Sequence, residues 1–201
     1  MKIAIIGAGI SAITIAKNLK SIANVSLFEK SSGVGGRMAT RLSSPYDFDH
    51  GAQFFTAKSL NFKNFIEPLI KKGIIQQWDA RFSEFKNNKI LRNITWDSEF
   101  PHYVGVPGMN SISKYLSKDL DVKLEAKVNK IIKNSTNSWQ LLDDNKNDLG
   151  RFDWVVSTAP AVQSAEILPK FFKYHSDLLN RKMVGCFSLM LGFKKALPLS
   201  W

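Results

Sequence analysis

The stretch KIAIIGAGISAITIAKNL, Lys2 to Leu19, decides how this sequence is read. Ile3 to Ile6 form a short continuous apolar run, the pattern of a strand covered on both faces of a parallel sheet. Gly7 and Gly9 break it. From Ile10, apolar residues at Ala12, Ile15, Ala16 and Leu19 follow a helical spacing that ends in basic residues. A lysine ahead of an apolar run also opens secretory leaders. Strand, turn and helix account for more of the residues, and no later segment reaches the ~18 apolar residues of a membrane span. The chain is expected to be cytoplasmic.

The turn carries G-x-G-x-x-A at Gly7, Gly9 and Ala12. The first glycine permits the tight turn, the second lets backbone N–H groups approach a pyrophosphate, and the third position needs a small residue where helix meets strand. The N-terminus of the helix beginning near Ile10 would hold the phosphate charge. A second strand, NVSLFEK, ends at Glu29, twenty-two residues after Gly7, where a carboxylate can accept from the hydroxyls of an adenosine ribose. Together these predict dinucleotide binding.

A second glycine-rich loop comes directly afterwards: SSGVGGRMAT, Ser31 to Thr40. A nicotinamide-binding domain would normally continue into further crossover helices and strands. Here a second loop can reach the same pyrophosphate from its other side, with Arg37 donating to the phosphates and the glycines allowing close approach. Taken alone, the loop is equally compatible with a solvated surface turn.

The rest of the composition sets bounds. The 201 residues, 44% hydrophobic and 11% aromatic, suffice for one large or two small packed domains. The net charge of +11 is spread over scattered lysines, such as Lys71 with Lys72 and Lys194 with Lys195, so a solvated basic surface is expected and no nucleic-acid or membrane partner. The lone Cys186, within MVGCFSLMLGF, excludes an internal disulfide and reads as core. His102 and His175 have no partner at metal-ligand spacing, so no metal site is expected.

Between the two ends, Phe62, Phe65, Ile66, Leu69 and Ile70 mark an amphipathic helix that Pro68 should kink or shorten and Gly73 should end. From Ile74 to Phe100 the pattern is strand-like, with Trp78, Phe82, Phe85 and Trp96 and a turn at Asn87 and Asn88. Val122, Leu124, Ala126 and Val128 alternate as one strand, WVVSTAP reads as a buried strand stopped by Pro160, and Phe187, Leu189, Leu191 and Phe193 alternate as another strand. The aromatics can line a pocket for a flat substrate or simply form core.

GAGISA, EKSSGVGGRMAT and FDHGAQFFT resemble the flavin-containing amine oxidase superfamily, and DHGAQFFT with VGVPGMNSISKYL is most similar to its renalase-like branch. KVNKI and FDWVVSTAPAVQSAEIL continue the likeness over nearly the whole chain. The resemblance implies FAD as cofactor, with Glu29 at the ribose, Arg37 at the pyrophosphate, the backbone of His50, Gly51, Ala52 and Gln53 along the flavin ring, and Val128 at the adenine edge. It adds Ile10, Ser11, Lys30, Gly36, Met38, Ala39 and Ala159 to the candidate cofactor-binding set. Gly51 and Ala52 are small, as a segment against a planar ring requires.

The expected fold is α/β: a Rossmann-like FAD-binding domain, residues 1–56 and 103–168, with an inserted, incomplete α+β substrate domain, residues 57–102 and 169–201, containing an antiparallel sheet. Members of the family are longer, so the chain looks like an N-terminal portion of the family fold. The implied chemistry is hydride transfer from a small-molecule substrate, a dihydronicotinamide isomer or an amine, to flavin, with reoxidation by dioxygen. No catalytic acid or base is assigned. A nicotinamide-dependent dehydrogenase and a non-enzymatic remnant with weak nucleotide binding stay open.

Overall fold

A computed structural model describes residues 1–96, 99, 101–135 and 137–198. Phe100 and Trp201, the last residues of the strand-rich stretch and of the substrate-side segment expected from sequence, lie outside the described residues. In chain order the first elements are β1 (Lys2–Ile6), α1 (Ile10–Leu19), β2 (Asn24–Phe28), β3 (Thr40–Ser43), β4 (Tyr46–Asp49), β5 (Phe55–Thr56) and α2 (Leu60–Lys71). Next come β6 (Ile75–Gln77), β7 (Arg81–Lys86), β8 (Lys89–Thr95), β9 (His102–Gly105), α3 (Asn110–Leu116) and β10 (Asp121–Lys123). The last are β11 (Val128–Lys133), β12 (Trp139–Asp143), β13 (Asp148–Phe152), β14 (Trp154–Ser157), α4 (Ala161–Ile167) and α5 (His175–Leu179). The chain forms two compact units: Met1–Arg37 with Ser113–Phe187, and Met38–Ile112 with the segment from Ser188.

The first unit is built on a parallel sheet of order β10-β2-β1-β14. β1 is flanked on both edges, so Ile3, Ala4, Ile5 and Ile6 are all buried, as the unbroken apolar run requires. α1 crosses between the parallel strands β1 and β2 and buries Ala12, Ile13 and Ala16, where two alanines permit close approach to the sheet. An antiparallel sheet, β11-β12-β13, joins the same core: Val128, Ile131, Leu141 and Phe152 cluster with Ala4, Ile6 and Phe28. Phe28 and Phe152 meet edge to face at 5.6 Å.

The alternation from Val122 to Val128 divides between two strands rather than one. Glu125 turns at φ +54, and the N–H groups of Glu125 and Ala126 donate to the carbonyls of Ser31 and Glu29. The apolar period runs through that turn unbroken, so periodicity alone does not reveal it.

The second unit holds a β3-β4 hairpin, a β5-β9-β6 antiparallel sheet and a β7-β8 hairpin. The last turns on Asn87 and Asn88, both at positive φ, the residue type that best tolerates the left-handed conformation after glycine. α2 is one helix despite Pro68. Ser59 caps it by accepting from Phe62 N, and it ends where Gly73, φ +68, lets the Ile74 N–H reach the Leu69 carbonyl. Pro68 stands near the C-terminal end, where a missing donor removes one bond and leaves the earlier turns intact.

Two expectations fail at the far end. Residues 181–193 are coil, not strand: Phe187 is fully exposed and Leu189, Leu191 and Phe193 are more than half exposed. Cys186 is exposed, not core. Alternation creates a strand only where a neighbour takes up its ladder N–H and C=O groups, and among the described residues none does so.

Candidate functional site

The β1–α1 turn is held peptide by peptide. The Ile6 carbonyl accepts from both the N–H and the hydroxyl of Thr158, at 3.0 and 2.9 Å, and Gly7 N donates to the Phe28 carbonyl at 2.8 Å. Gly7 is at φ +100, and a Cβ there would lie 2.7 Å from Thr158 Oγ1, so only glycine fits. Ala8 N donates to Glu29 Oε2 at 2.8 Å, while the Ala8 carbonyl accepts from Gly35 N at 2.9 Å. Gly9 forms a parallel bridge to Gly35, and a Cβ on Gly36, φ +55, would meet Gly9 Cα at 3.3 Å. The second glycine loop therefore lies directly on the first. The close approach falls on Gly36, whose Cβ would press on Gly9, while Gly7 is held thin by Thr158.

Glu29 is buried at 8% exposure, and its other oxygen, Oε1, accepts from Ser31 N at 2.9 Å. One carboxylate thus fastens the start of each glycine loop, and among the described residues each oxygen takes one donor, which leaves acceptor capacity for a ligand hydroxyl.

At the mouth of this turn the donors have no partner among the described residues. No side chain caps α1, no acidic residue stands in its first turn, and a Cβ on Gly9 would meet nothing within 4 Å. The N–H groups of Ile10, Ser11 and Ala12 precede the first intrahelical bond, Ile13 N to the Gly9 carbonyl. Arg37, in the 3-10 turn Gly36–Met38, is exposed and makes no hydrogen bond or ion pair among the described residues. An uncapped helix start, an open glycine and an unpaired guanidinium fit a pyrophosphate.

Of the other candidates in this unit, Lys30 is exposed, with Nζ 3.3 Å from Gln163 Oε1. Val128 is buried at the start of β11, two residues beyond the Ala126 contact with Glu29. Ala159 sits next to Thr158, and its carbonyl accepts from Ser164 Oγ at 3.0 Å. Sequence pattern did not single out Gly35, Ser31 and Thr158 as parts of the turn. Gly35 stands inside the second glycine-rich loop, but only its pairing with Ala8 distinguishes it from its neighbours.

Met38, Ala39 and His50–Gln53 belong to the second unit. Met38 and Ala39 are half-buried, whereas His50, Gly51 and Gln53 are exposed, and the His50 carbonyl accepts from Ser188 Oγ at 2.6 Å. Directly after them Phe54 enters an aromatic group: 4.9 Å from Trp96 and 5.1 Å from His102, with Trp96 stacked on His102 at 3.8 Å and Trp78 edge-on to Trp96. Phe54 and Trp78 are 39% and 42% exposed, so the group keeps open ring surface. Among the described residues no three His, Cys, Asp or Glu side chains gather as a metal site, and no helix is long and apolar enough to cross a membrane.

Residues 5–69 match the model of an NAD(P)-binding Rossmann-like domain. Residues 79–201 match that of flavin containing amine oxidoreductases. The fold is similar to a crystal structure from Exiguobacterium sp. 255-15 assigned as a protoporphyrinogen oxidase, with a TM-score of 0.67 and 12% identity over 89% of this chain. This chain spans 63% of that protein's length. With the paired glycine loops at one end and the family match over the larger part of its length, the chain belongs to the flavin containing amine oxidoreductase family.

Proposed function

We propose that this chain carries the cofactor-binding part of an FAD-dependent oxidoreductase of the renalase-like type. The observation that supports it is the stacked pair of glycine loops with an unpaired Arg37 beside an uncapped helix start. A nicotinamide site needs only the first loop, whereas a second loop with an arginine suits the longer FAD pyrophosphate bridge. Residues 1–56 and 103–168 serve the cofactor in this reading, and 57–102 and 169–201 serve the substrate. A flavin held by these residues would supply hydride acceptance from the substrate and electron transfer to dioxygen.

The chain's own residues bind and orient. α1 and Arg37 hold the diphosphate, and Glu29 accepts from the ribose through its free lone pairs. His50–Gln53 run their backbone along the ring, Val128 meets the adenine through its main chain, and Phe54 with Trp78 offers flat apolar surface to a planar small-molecule substrate. The +11 charge favours an anionic dihydronicotinamide dinucleotide over a cationic amine. A cytoplasmic location belongs to the same reading.

The test is a titration with FAD and then anaerobic stopped-flow. In a protein of full family length, bands at about 375 and 450 nm, on the order of one flavin per chain, are expected, whereas the 201 residues alone should hold FAD weakly. Arg37→Ala should weaken retention by about 1.5–3 kcal/mol, the scale of a charge-assisted hydrogen bond. A colourless chain that binds NADH instead overturns the flavin reading in favour of a nicotinamide enzyme. Rapid bleaching by benzylamine, with dihydronicotinamide isomers inert, overturns the renalase-like assignment.

A further inference from the structure

We propose that Asp49 is a positioning residue whose carboxylate ties three separate stretches of the second unit into one knot and so sets the backbone path of residues 50–53. The inference rests on the reading of 50–53 as the segment along the flavin ring, but its geometry stands within the chain.

Thr40 and Asp49 face each other across the β3-β4 ladder, and Thr40 Oγ1 donates to Asp49 Oδ1 at 2.5 Å. The Met109 N–H donates to both Asp49 oxygens, at 3.0 and 3.1 Å. The Thr40 oxygen accepts in turn from Asn110 N at 3.3 Å. The loop that brings Met109 there tolerates no bulk: a Cβ on Gly108 would lie 2.7 Å from Thr40 Oγ1, and one on Gly105 would lie 2.6 Å from the Gly108 carbonyl. The two arms of the β3-β4 hairpin and the VGVPGMN loop, sixty residues beyond Asp49, thus meet at one carboxylate.

The consequence falls on the four residues after Asp49. Residues 50–53 are irregular, with a bend at Gly51, largely exposed and outside every ladder. Their C-terminal end is fixed by β5, where Phe55 pairs with Tyr103 of β9. Their N-terminal end is fixed by Asp49 at Met109, four residues beyond the end of β9. The segment is therefore spanned between two anchors on the same stretch, β9 and its adjoining loop, and Asp49 is the anchor made by a side chain. Removing it breaks the tie to Met109 and leaves that end held by the β3-β4 ladder and by the Ser188 hydroxyl on the His50 carbonyl.

The test compares the full chain with Asp49→Ala and Asp49→Asn, first without flavin. Chymotrypsin cleavage after Phe54 reads the freedom of the segment, and cleavage after Leu141, in the core of the first unit, reports global unfolding. Asp49→Ala should accelerate cleavage at Phe54 about tenfold with Leu141 unchanged, the scale of one lost capping interaction. Asp49→Asn keeps one acceptor oxygen and should restore most of the protection. With FAD added, Asp49→Ala should bind flavin whose ~450 nm band loses its shoulder and whose fluorescence rises, because the ring is held less rigidly. Unchanged cleavage at Phe54, or equal acceleration at both sites, overturns the proposal. A wild-type chain that binds no FAD overturns the proposed function instead, and the cleavage result still decides the role of Asp49.

Discussion

Glu29→Gln should destabilise the flavin-free chain, because the carboxylate is part of the fold before it is part of any ligand site. The side chain is buried at 8% exposure, and each oxygen accepts one backbone N–H: Ala8 at 2.8 Å, Ser31 at 2.9 Å. Glutamine replaces one oxygen with a donor, so whichever way the amide turns, one buried N–H faces another donor. The second bond survives without its charge. A lost bond to a charged acceptor is worth about 1.5–3 kcal/mol, and weakening of the other adds a fraction, for roughly 2–4 kcal/mol in total. For a chain of this size that corresponds to a fall of about 5–15 °C in Tm. The assay is thermal unfolding monitored by far-ultraviolet circular dichroism, without and with FAD. If Glu29 served only the ribose, the flavin-free melts would coincide. A Glu29→Gln chain melting within about 1 °C of wild type without flavin would refute the reasoning.

Gly36→Ala forces a side chain into φ +55, at a cost of about 1–2 kcal/mol, and sets a Cβ 3.3 Å from Gly9 Cα; flavin titration should show weaker binding. Gly33→Ala, whose Cβ meets nothing within 4 Å, should stay within about 0.5 kcal/mol of wild type, and equal effects at the two sites would refute the loop contact. Stability should also fall in acid. The Lys20 hydrogen bond holds the Asp119 carboxyl below the usual range, and the Asn147 side chain does the same for Asp143. Burial pushes Asp121 up, but Lys123 and Ser26 more than offset it, so it too lies low. Folded values below unfolded ones give stability that is complete above the ordinary carboxylate range and lost as pH falls through the lowered values. Tm should therefore be flat down to about pH 5 and drop below about pH 4, and Asp119→Asn should shallow the drop.

Much of this protein was readable from local pattern because local physics sets it. The apolar run Ile3–Ile6, the glycines after it and the helical stripe from Ile10 specify a buried parallel strand, a tight turn and a helix, whatever surrounds them. Asn87 and Asn88 specify a two-residue hairpin turn in the same way. Long-range contact decided the rest. Glu29 was visible as the acidic end of the second strand and Arg37 as a cation within a glycine loop, but the pairing of Ala8 with Gly35 and the Thr158 hydroxyl on the Ile6 carbonyl under Gly7 arise only when distant residues, 152 apart in the second case, meet around one sheet. The alternation at Phe187–Phe193 shows the opposite limit: a period of two describes which side chains share a face, while a strand exists only where a neighbour satisfies its backbone. Asp49 belongs with the long-range group, since its sequence neighbours say nothing of Met109, sixty residues away, whose N–H turns a surface carboxylate into an anchor.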